Sequence, residues 1–266
     1  MLIPLKIKRN LSDYDGKFIK IKGKEYYCKT AMDPGDQLFA NAVAESLGII
    51  CAKDFVVKAK DSYYYLSYSF NNLGNFQDAR KLGLHTAGLY DIWIFFEKKY
   101  PLHCQKLMFQ LVKVYLFDIF LLNSDRNLGN FGILEHDYDY DLVILDNEFI
   151  FSDFGVNLYP KLDRDDELNC YSSKKTITRN LSLGMIFNLK SLEYFIATSS
   201  KEFYSLLEEF YQILTPEYIM YELDKLNEKG YVLEEQEKFV KLYEIYYSLI
   251  GDLLLERGII SGQKLS

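Results

Sequence analysis

Apolar and aromatic residues alternate with lysines over Lys17-Phe-Ile-Lys-Ile-Lys-Gly-Lys-Glu-Tyr-Tyr-Cys-Lys29. A period of two predicts two short strands, joined at Gly23-Lys24. The period then changes. Asp33 can cap a helix, Pro34 suits its first turn and Gly48 is placed to end it. Leu38, Phe39, Ala42 and Val43 supply that helix with an apolar face. Phe55-Val-Val and Tyr63-Tyr-Tyr-Leu-Ser-Tyr predict two more strands around Lys58-Ala-Lys-Asp. The polar Asn71-Asn72 and Gly74 mark a hinge within 69–75.

From Gln77 onward the helical period dominates, with segments near 86–99, 104–122, 202–213, 216–228 and 233–257. Asn130-Phe-Gly-Ile-Leu and Leu142-Val-Ile-Leu interrupt them as two strands around the acidic loop His136-Asp-Tyr-Asp-Tyr-Asp141. That loop lacks the glycine and final glutamate of a calcium-binding EF-hand and reads as a solvated turn. The division expected is a β-rich lobe with one helix over 1–75 and a larger, mainly helical lobe over 76–266.

A chain of 266 residues that is 49% hydrophobic has the core for one large domain or two lobes. The net charge is −7 and the pI about 5.2, without a basic cluster to follow a phosphate backbone. Nucleic acid is therefore not an expected partner. The four cysteines and three histidines complete no zinc pattern, and reduced thiols fit a cytoplasmic location. The N-terminus lacks a cleavable signal, although secretion by a route without one stays compatible with the sequence. The most apolar stretch, Leu107 to Leu122, is shorter than a bilayer span and carries Lys113 and Asp118. It reads as a buried helix, so no membrane partner is expected.

The candidate chemistry lies between the helices. Asp125 precedes Asn130 by five residues in Asn123-Ser-Asp-Arg-Asn-Leu-Gly-Asn130-Phe-Gly, and Asp153-Phe-Gly155 follows. Phosphoryl transfer from ATP needs one carboxylate to orient the attacking hydroxyl, and an amide oxygen and a second carboxylate to hold magnesium. The spacing and order match the catalytic loop and metal motif of protein kinases. Both segments are also rich in turn-forming residues, and turn chemistry is the competing explanation.

Phe117 to Leu134 and Phe151 to Pro160 resemble the HipA-like serine/threonine kinases, most nearly their shorter CtkA-like branch. The resemblance runs from Lys29 to Pro160. It implies an α+β, two-lobed protein-kinase-like fold similar to phosphatidylinositol kinases, and an ATP- and magnesium-dependent, autophosphorylating serine/threonine protein kinase. By position, Asp125 becomes the catalytic base, Asn130 and Asp153 the magnesium ligands, and Lys29 the contact to ATP phosphates. A protein substrate and an antitoxin-like or host protein partner are implied with it.

The chain departs from the family at two places. Gln37 stands where the family has a glutamate near the start of the first-lobe helix, a position counted with the nucleotide site. A neutral amide cannot form the ion pair that positions the lysine in active kinases, which leaves Asp36 or Glu45 as substitutes. Asn127 replaces the histidine common after the catalytic Asp-Arg. No Gly-x-Gly-x-x-Gly precedes Lys29, and Asp13 to Gly16 and Gly23 are the candidates for a phosphate cover. The rival readings are a pseudokinase or nucleotide-sensing interaction module, motivated by Gln37 and 23 tyrosines, and a lipid kinase, which no basic membrane-facing patch supports. Ser172, Ser173 and Thr176, beside Lys174 and Lys175, are candidates for self-phosphorylation.

Overall fold

The computed structural model describes residues 11–31, 34–59, 62–84, 89–121, 123, 126–147, 150, 202, 204–231, 236–256 and 260. Asp125, Asp153, Ser172, Ser173 and Thr176 lie outside them.

After a single 3₁₀ turn, Leu11–Tyr14, strands β1 (Lys17–Ile21) and β2 (Lys24–Ala31) pair antiparallel, with Lys17 opposite Cys28 and Ile21 opposite Lys24. The turn is Lys22-Gly23, both at positive φ (49° and 79°), one residue earlier than expected. Two left-handed residues match the twist of a hairpin, and Lys24 is freed to begin β2. Helix α1 (Pro34–Ser46) begins at the expected proline. It ends where Gly48, at φ 66°, lets the Ile49 amide reach back to the Ala44 carbonyl at 2.9 Å. Strands β3 (Ile50–Cys51), β4 (Asp54–Ala59) and β5 (Ser62–Tyr68) follow. The first sheet runs β1-β2-β5-β4, antiparallel throughout.

The hinge is a second 3₁₀ turn, Phe70–Asn72, leading into β6 (Asn75–Asp78). Glu25 on β2 holds it: its carboxylate accepts from Ser69 Oγ at 2.7 Å and from Asn71 Nδ2 at 3.1 Å. Strands β7 (Phe131–His136) and β8 (Asp139–Ile144) complete a second sheet of order β3-β8-β7-β6, in which β3 and β8 run parallel. The first 75 residues thus contribute β3 to the sheet that carries β7 and β8.

The acidic stretch His136 to Asp141 is a solvated turn only at its tip, where Tyr138 is 98% exposed. It belongs to the two strands, turned only at Asp137-Tyr138, both left-handed (φ 46° and 67°). The charges of Asp139 and Asp141 are met by side chains of helix α3 (Cys104–Phe120) and by His136. Lys106 Nζ lies 2.7 Å from both Asp139 and Asp141, Gln110 donates to Asp141 at 2.7 Å, and His136 Nε2 lies 2.7 Å from Asp141. Among the described residues no group of three or more His, Cys, Asp and Glu side chains is arranged to hold a metal ion.

Helix α2 (Leu89–Lys99) packs on α3, which is buried along most of its length, from Leu107 to Phe120. Residues 204–213 form α4, and α5 (Pro216–Glu228) and α6 (Gln236–Glu256) complete the C-terminal region. Thr215 caps α5 by accepting the Tyr218 amide. Tyrosines tie α6 down: Tyr243 donates to the Leu214 carbonyl and Tyr246 to the Ile119 carbonyl, each at 2.7 Å. These hydroxyls bond carbonyls at the ends of α4 and α3, where intrahelical partners run out. One core joins α1 to the C-terminal helices, with Phe39 edge-on to Phe239 at 6.5 Å. A smaller core of Leu11, Cys28, Val57, Tyr64 and Leu66 stabilises the first sheet. No helix among the described residues is long and apolar enough to cross a membrane.

Candidate functional site

A cavity of about 460 Å³ opens between the first sheet, the hinge and the ends of β6 to β8. Phe18, Tyr27, Tyr65, Tyr68, Phe70 and Phe76 give it apolar and aromatic walls. Lys29, Gln37, Asp78, Arg80, Lys81, Asn130 and Asp146 gather polar groups beside them. A planar base fits the first set and a polyphosphate with its counter-ion the second.

Three residues singled out in the sequence, Lys29, Gln37 and Asn130, line this one cavity. A fourth polar residue there belongs to no sequence motif. Asp146, two residues beyond the end of β8, takes the Lys29 ammonium with both oxygens, at 2.9 and 3.1 Å. Each side chain is about one-third exposed (33% and 35%), so the pair faces the cleft rather than the core. Asp146 has φ 51°, a left-handed conformation uncommon outside glycine. The apolar run Leu142-Val-Ile-Leu145, ending in an acid, was the available signal.

Arg126 organises the floor of the site. Its guanidinium is buried and donates to Asp118 through Nε and Nη2, to the Asn130 and Leu145 carbonyls through Nη1, and to Asn147 Oδ1 through Nη2. Asn123 Nδ2 adds a bond to Asp118 at 2.8 Å. Burial pushes the Asp118 carboxyl up from its ordinary value, and the facing guanidinium opposes that shift. The residue after Asp125 thus fixes the backbone of both Asn130 and the segment entering Asp146. At Gly129 a side chain would collide with the Arg80 guanidinium, so glycine lets Arg80 lie against the loop.

Gln37 is buried, and its amide is used within the protein. Nε2 donates to Asp54 Oδ2 at 2.7 Å, and Oε1 accepts the Asn147 amide at 2.6 Å. Asn41 Nδ2 donates to the same Asp54 oxygen at 2.7 Å. Burial raises the Asp54 carboxyl, Ser67, Gln37 and Asn41 pull it back by hydrogen bonding, and the Asp146 charge adds to the rise. Of the substitutes considered for the missing glutamate, Glu45 is exposed on α1. The partners of Gln37 are instead Asp54 and Asn147.

No family model and no curated protein sequence matches the chain. Solved structures do. The Helicobacter pylori proinflammatory kinase CtkA superposes with a TM-score of 0.57 at 15% identity, over 90% of this chain and 89% of that one. HipA of the Shewanella oneidensis MR-1 toxin–antitoxin system, solved with HipB and operator DNA, superposes with a TM-score of 0.55 at 12% identity. That match covers 86% of this chain but only 57% of the HipA chain. The chain has the kinase-like α+β fold of CtkA and HipA, with its sheets in the N-terminal region and its helices toward the C-terminus.

Proposed function

We propose that this protein is a phosphotransferase, an ATP- and magnesium-dependent serine/threonine protein kinase of HipA-like and CtkA-like type. One observation carries the reading: an ammonium, a carboxylate and a carboxamide (Lys29, Asp146 and Asn130) share one aromatic-walled cavity on a kinase-like fold. Magnesium takes oxygen donors, commonly one or two carboxylates together with substrate phosphates and water. The Asn130 amide oxygen and the Asp146 carboxylate are such donors, so the residues present fit the ion. Magnesium·ATP supplies the phosphoryl group and neutralises the charge that develops on it.

In this reading Lys29 contacts the nucleotide phosphates and is held toward them by Asp146. Asn130 and Asp146 hold the metal, and Asp153, named from the Asp-Phe-Gly pattern, is the competing carboxylate. Asp125 orients the acceptor hydroxyl and takes its proton as the oxygen attacks. The aromatic wall holds the base. The acceptor is a serine or threonine hydroxyl of a protein, of this chain itself at Ser172, Ser173 or Thr176 in the first instance. A cytoplasmic location and an antitoxin-like or host protein partner belong to the same proposal.

The alternative is a pseudokinase that binds nucleotide without transferring phosphate, and Gln37 favours it because its amide forms no ion pair. Incubation with γ-labelled ATP and magnesium separates the two. Label should enter the wild-type chain or a general serine/threonine acceptor, and Asp125→Ala should transfer at least about 100-fold more slowly. Nucleotide binding without transfer would establish the pseudokinase.

A further inference from the structure

Asp146 sits between two pinned neighbours. On one side the Leu145 carbonyl accepts Arg126 Nη1 at 3.0 Å, and its amide donates to the Asn130 carbonyl at 2.9 Å. On the other, Asn147 is wholly buried and bonded on three sides. Its amide donates to Gln37 Oε1 at 2.6 Å, its Nδ2 to Asn41 Oδ1 at 3.0 Å, and its Oδ1 accepts Arg126 Nη2 at 2.7 Å. Gln37 and Asn41, one turn apart on α1, converge on Asp54 Oδ2. A continuous buried path therefore runs from Asp118 on α3 through Arg126 and Asn147 to α1 and Asp54 at the start of β4.

This path has a mechanical consequence. Asp146 has a positive φ of 51°, and the bonds to Leu145 and Asn147 on either side hold it there. They fix the direction in which the Asp146 side chain leaves the backbone. Arg126, which holds the Asn130 carbonyl as well, ties both metal-side residues to one guanidinium. Gln37 and Asn41 carry the position of α1 to the same place.

We infer that Gln37 and Asn147 are positioning residues for the metal side of the cleft. Their neutral relay couples α1 to Asp146, where active kinases tie the corresponding helix to the lysine by an ion pair. The inference rests on the nucleotide-binding part of the proposed function. It makes Gln37 part of the machinery and not a lesion in it.

The test is the magnesium dependence of nucleotide binding by the full chain, measured calorimetrically with a non-hydrolysable ATP analogue. Gln37→Met keeps the volume and removes both hydrogen-bonding ends, leaving Arg126 and Asp118 untouched. Asn147→Ser shortens the other side of the relay. Melting curves establish that each variant folds. Partners that orient a metal ligand are typically worth 10-fold to 100-fold in metal affinity. The magnesium concentration for half-maximal binding should rise about 10-fold or more. Gln37→Glu, which sets a carboxylate against Asp54, should act in the same direction. An unchanged magnesium requirement in a folded Gln37→Met or Asn147→Ser overturns the inference. So does tighter binding in Gln37→Glu, which would mean that the side chain serves Lys29. Failure of both other variants to fold would assign the relay to stability alone and overturn it too. Absence of magnesium-dependent nucleotide binding in the wild type would overturn the proposed function along with it.

Discussion

Arg126 and Asp118 form a buried ion pair in which Nε and Nη2 reach the carboxylate at 2.9 to 3.3 Å, with side-chain exposures of 3% and 6%. Breaking such a pair from one side leaves an uncompensated charge in the core and costs about 3–5 kcal/mol. Arg126→Met and Asp118→Leu are each expected to lose that much in urea unfolding. Arg126→Lys should recover little of it, because an ammonium cannot serve Asp118, two carbonyls and Asn147 together. A loss under about 1 kcal/mol for Arg126→Met would remove Arg126 from its organising role.

The Lys29–Asp146 pair should behave differently. Both side chains are about one-third exposed, so solvent screens them, and such pairs contribute roughly 0.2–1 kcal/mol to folding. A double-mutant cycle of Lys29→Met and Asp146→Asn is expected to give a coupling in that range for stability. Each single variant should nonetheless weaken magnesium·ATP binding about 10-fold or more. A pair maintained for folding would give the reverse pattern, a large coupling with nucleotide affinity intact.

How much of this arrangement was legible depended on how far away the deciding partner lies. The hairpin of β1 and β2, the start of α1 at Pro34 and the burial of α3 rest on local period and local turn chemistry, and they follow from neighbouring residues. Lys29 was named from the family resemblance and Asn130 from motif spacing, and both line the one cavity, their roles standing as proposals. The acidic His136 to Asp141 stretch was read as a turn throughout because its charges look solvated locally. Lys106 pairs with Asp139 and Asp141, and Gln110 hydrogen-bonds Asp141, from about thirty positions earlier in the chain. Asp146 was missed because only Lys29, 117 positions away, marks it as a cleft residue. Gln37 looked like a defect because its acceptor role depends on Asn147, 110 positions away. Asp125 and Asp153 lie outside the described residues, and their roles stand as proposals.

The buried Asp54 gives stability a pH signature. Its carboxyl titrates above its ordinary value, chiefly because burial penalises the charge, so the folded state binds the proton more tightly than the unfolded chain. This contribution is fully present below the unfolded value of about 3.9 and is lost as pH rises through the folded one. Asp54→Asn has no such titration. Its stability relative to the wild type is expected to improve as pH rises from about 4 to 8, followed by thermal melting in a series of buffers. A difference independent of pH would mean that Asp54 is as easily ionised folded as unfolded.

Two thiols should be inert in the native protein. Burial raises Cys28 to about 11 and Cys51 to about 12, so the thiolate fraction at pH 8 is small. Alkylation of either by iodoacetamide at pH 8 is expected to follow unfolding, with mass-spectrometric labelling appearing only in denaturant. Rapid labelling of Cys28 in native buffer would contradict its burial between β2 and Leu11.

On the proposed function, the cleft between the sheets holds magnesium·ATP on Lys29, Asn130 and Asp146. A structure of the chain with manganese and a non-hydrolysable ATP analogue tests it most directly, through the anomalous signal of the ion. The base is expected against Tyr65, Tyr68 and Phe70, the phosphates at Lys29, and the ion within roughly 2.5 Å of Asn130 Oδ1 and an Asp146 oxygen. An ion held by Asp153 with Asp146 left on Lys29 would move the metal site. Nucleotide bound outside this cleft would contradict the account altogether.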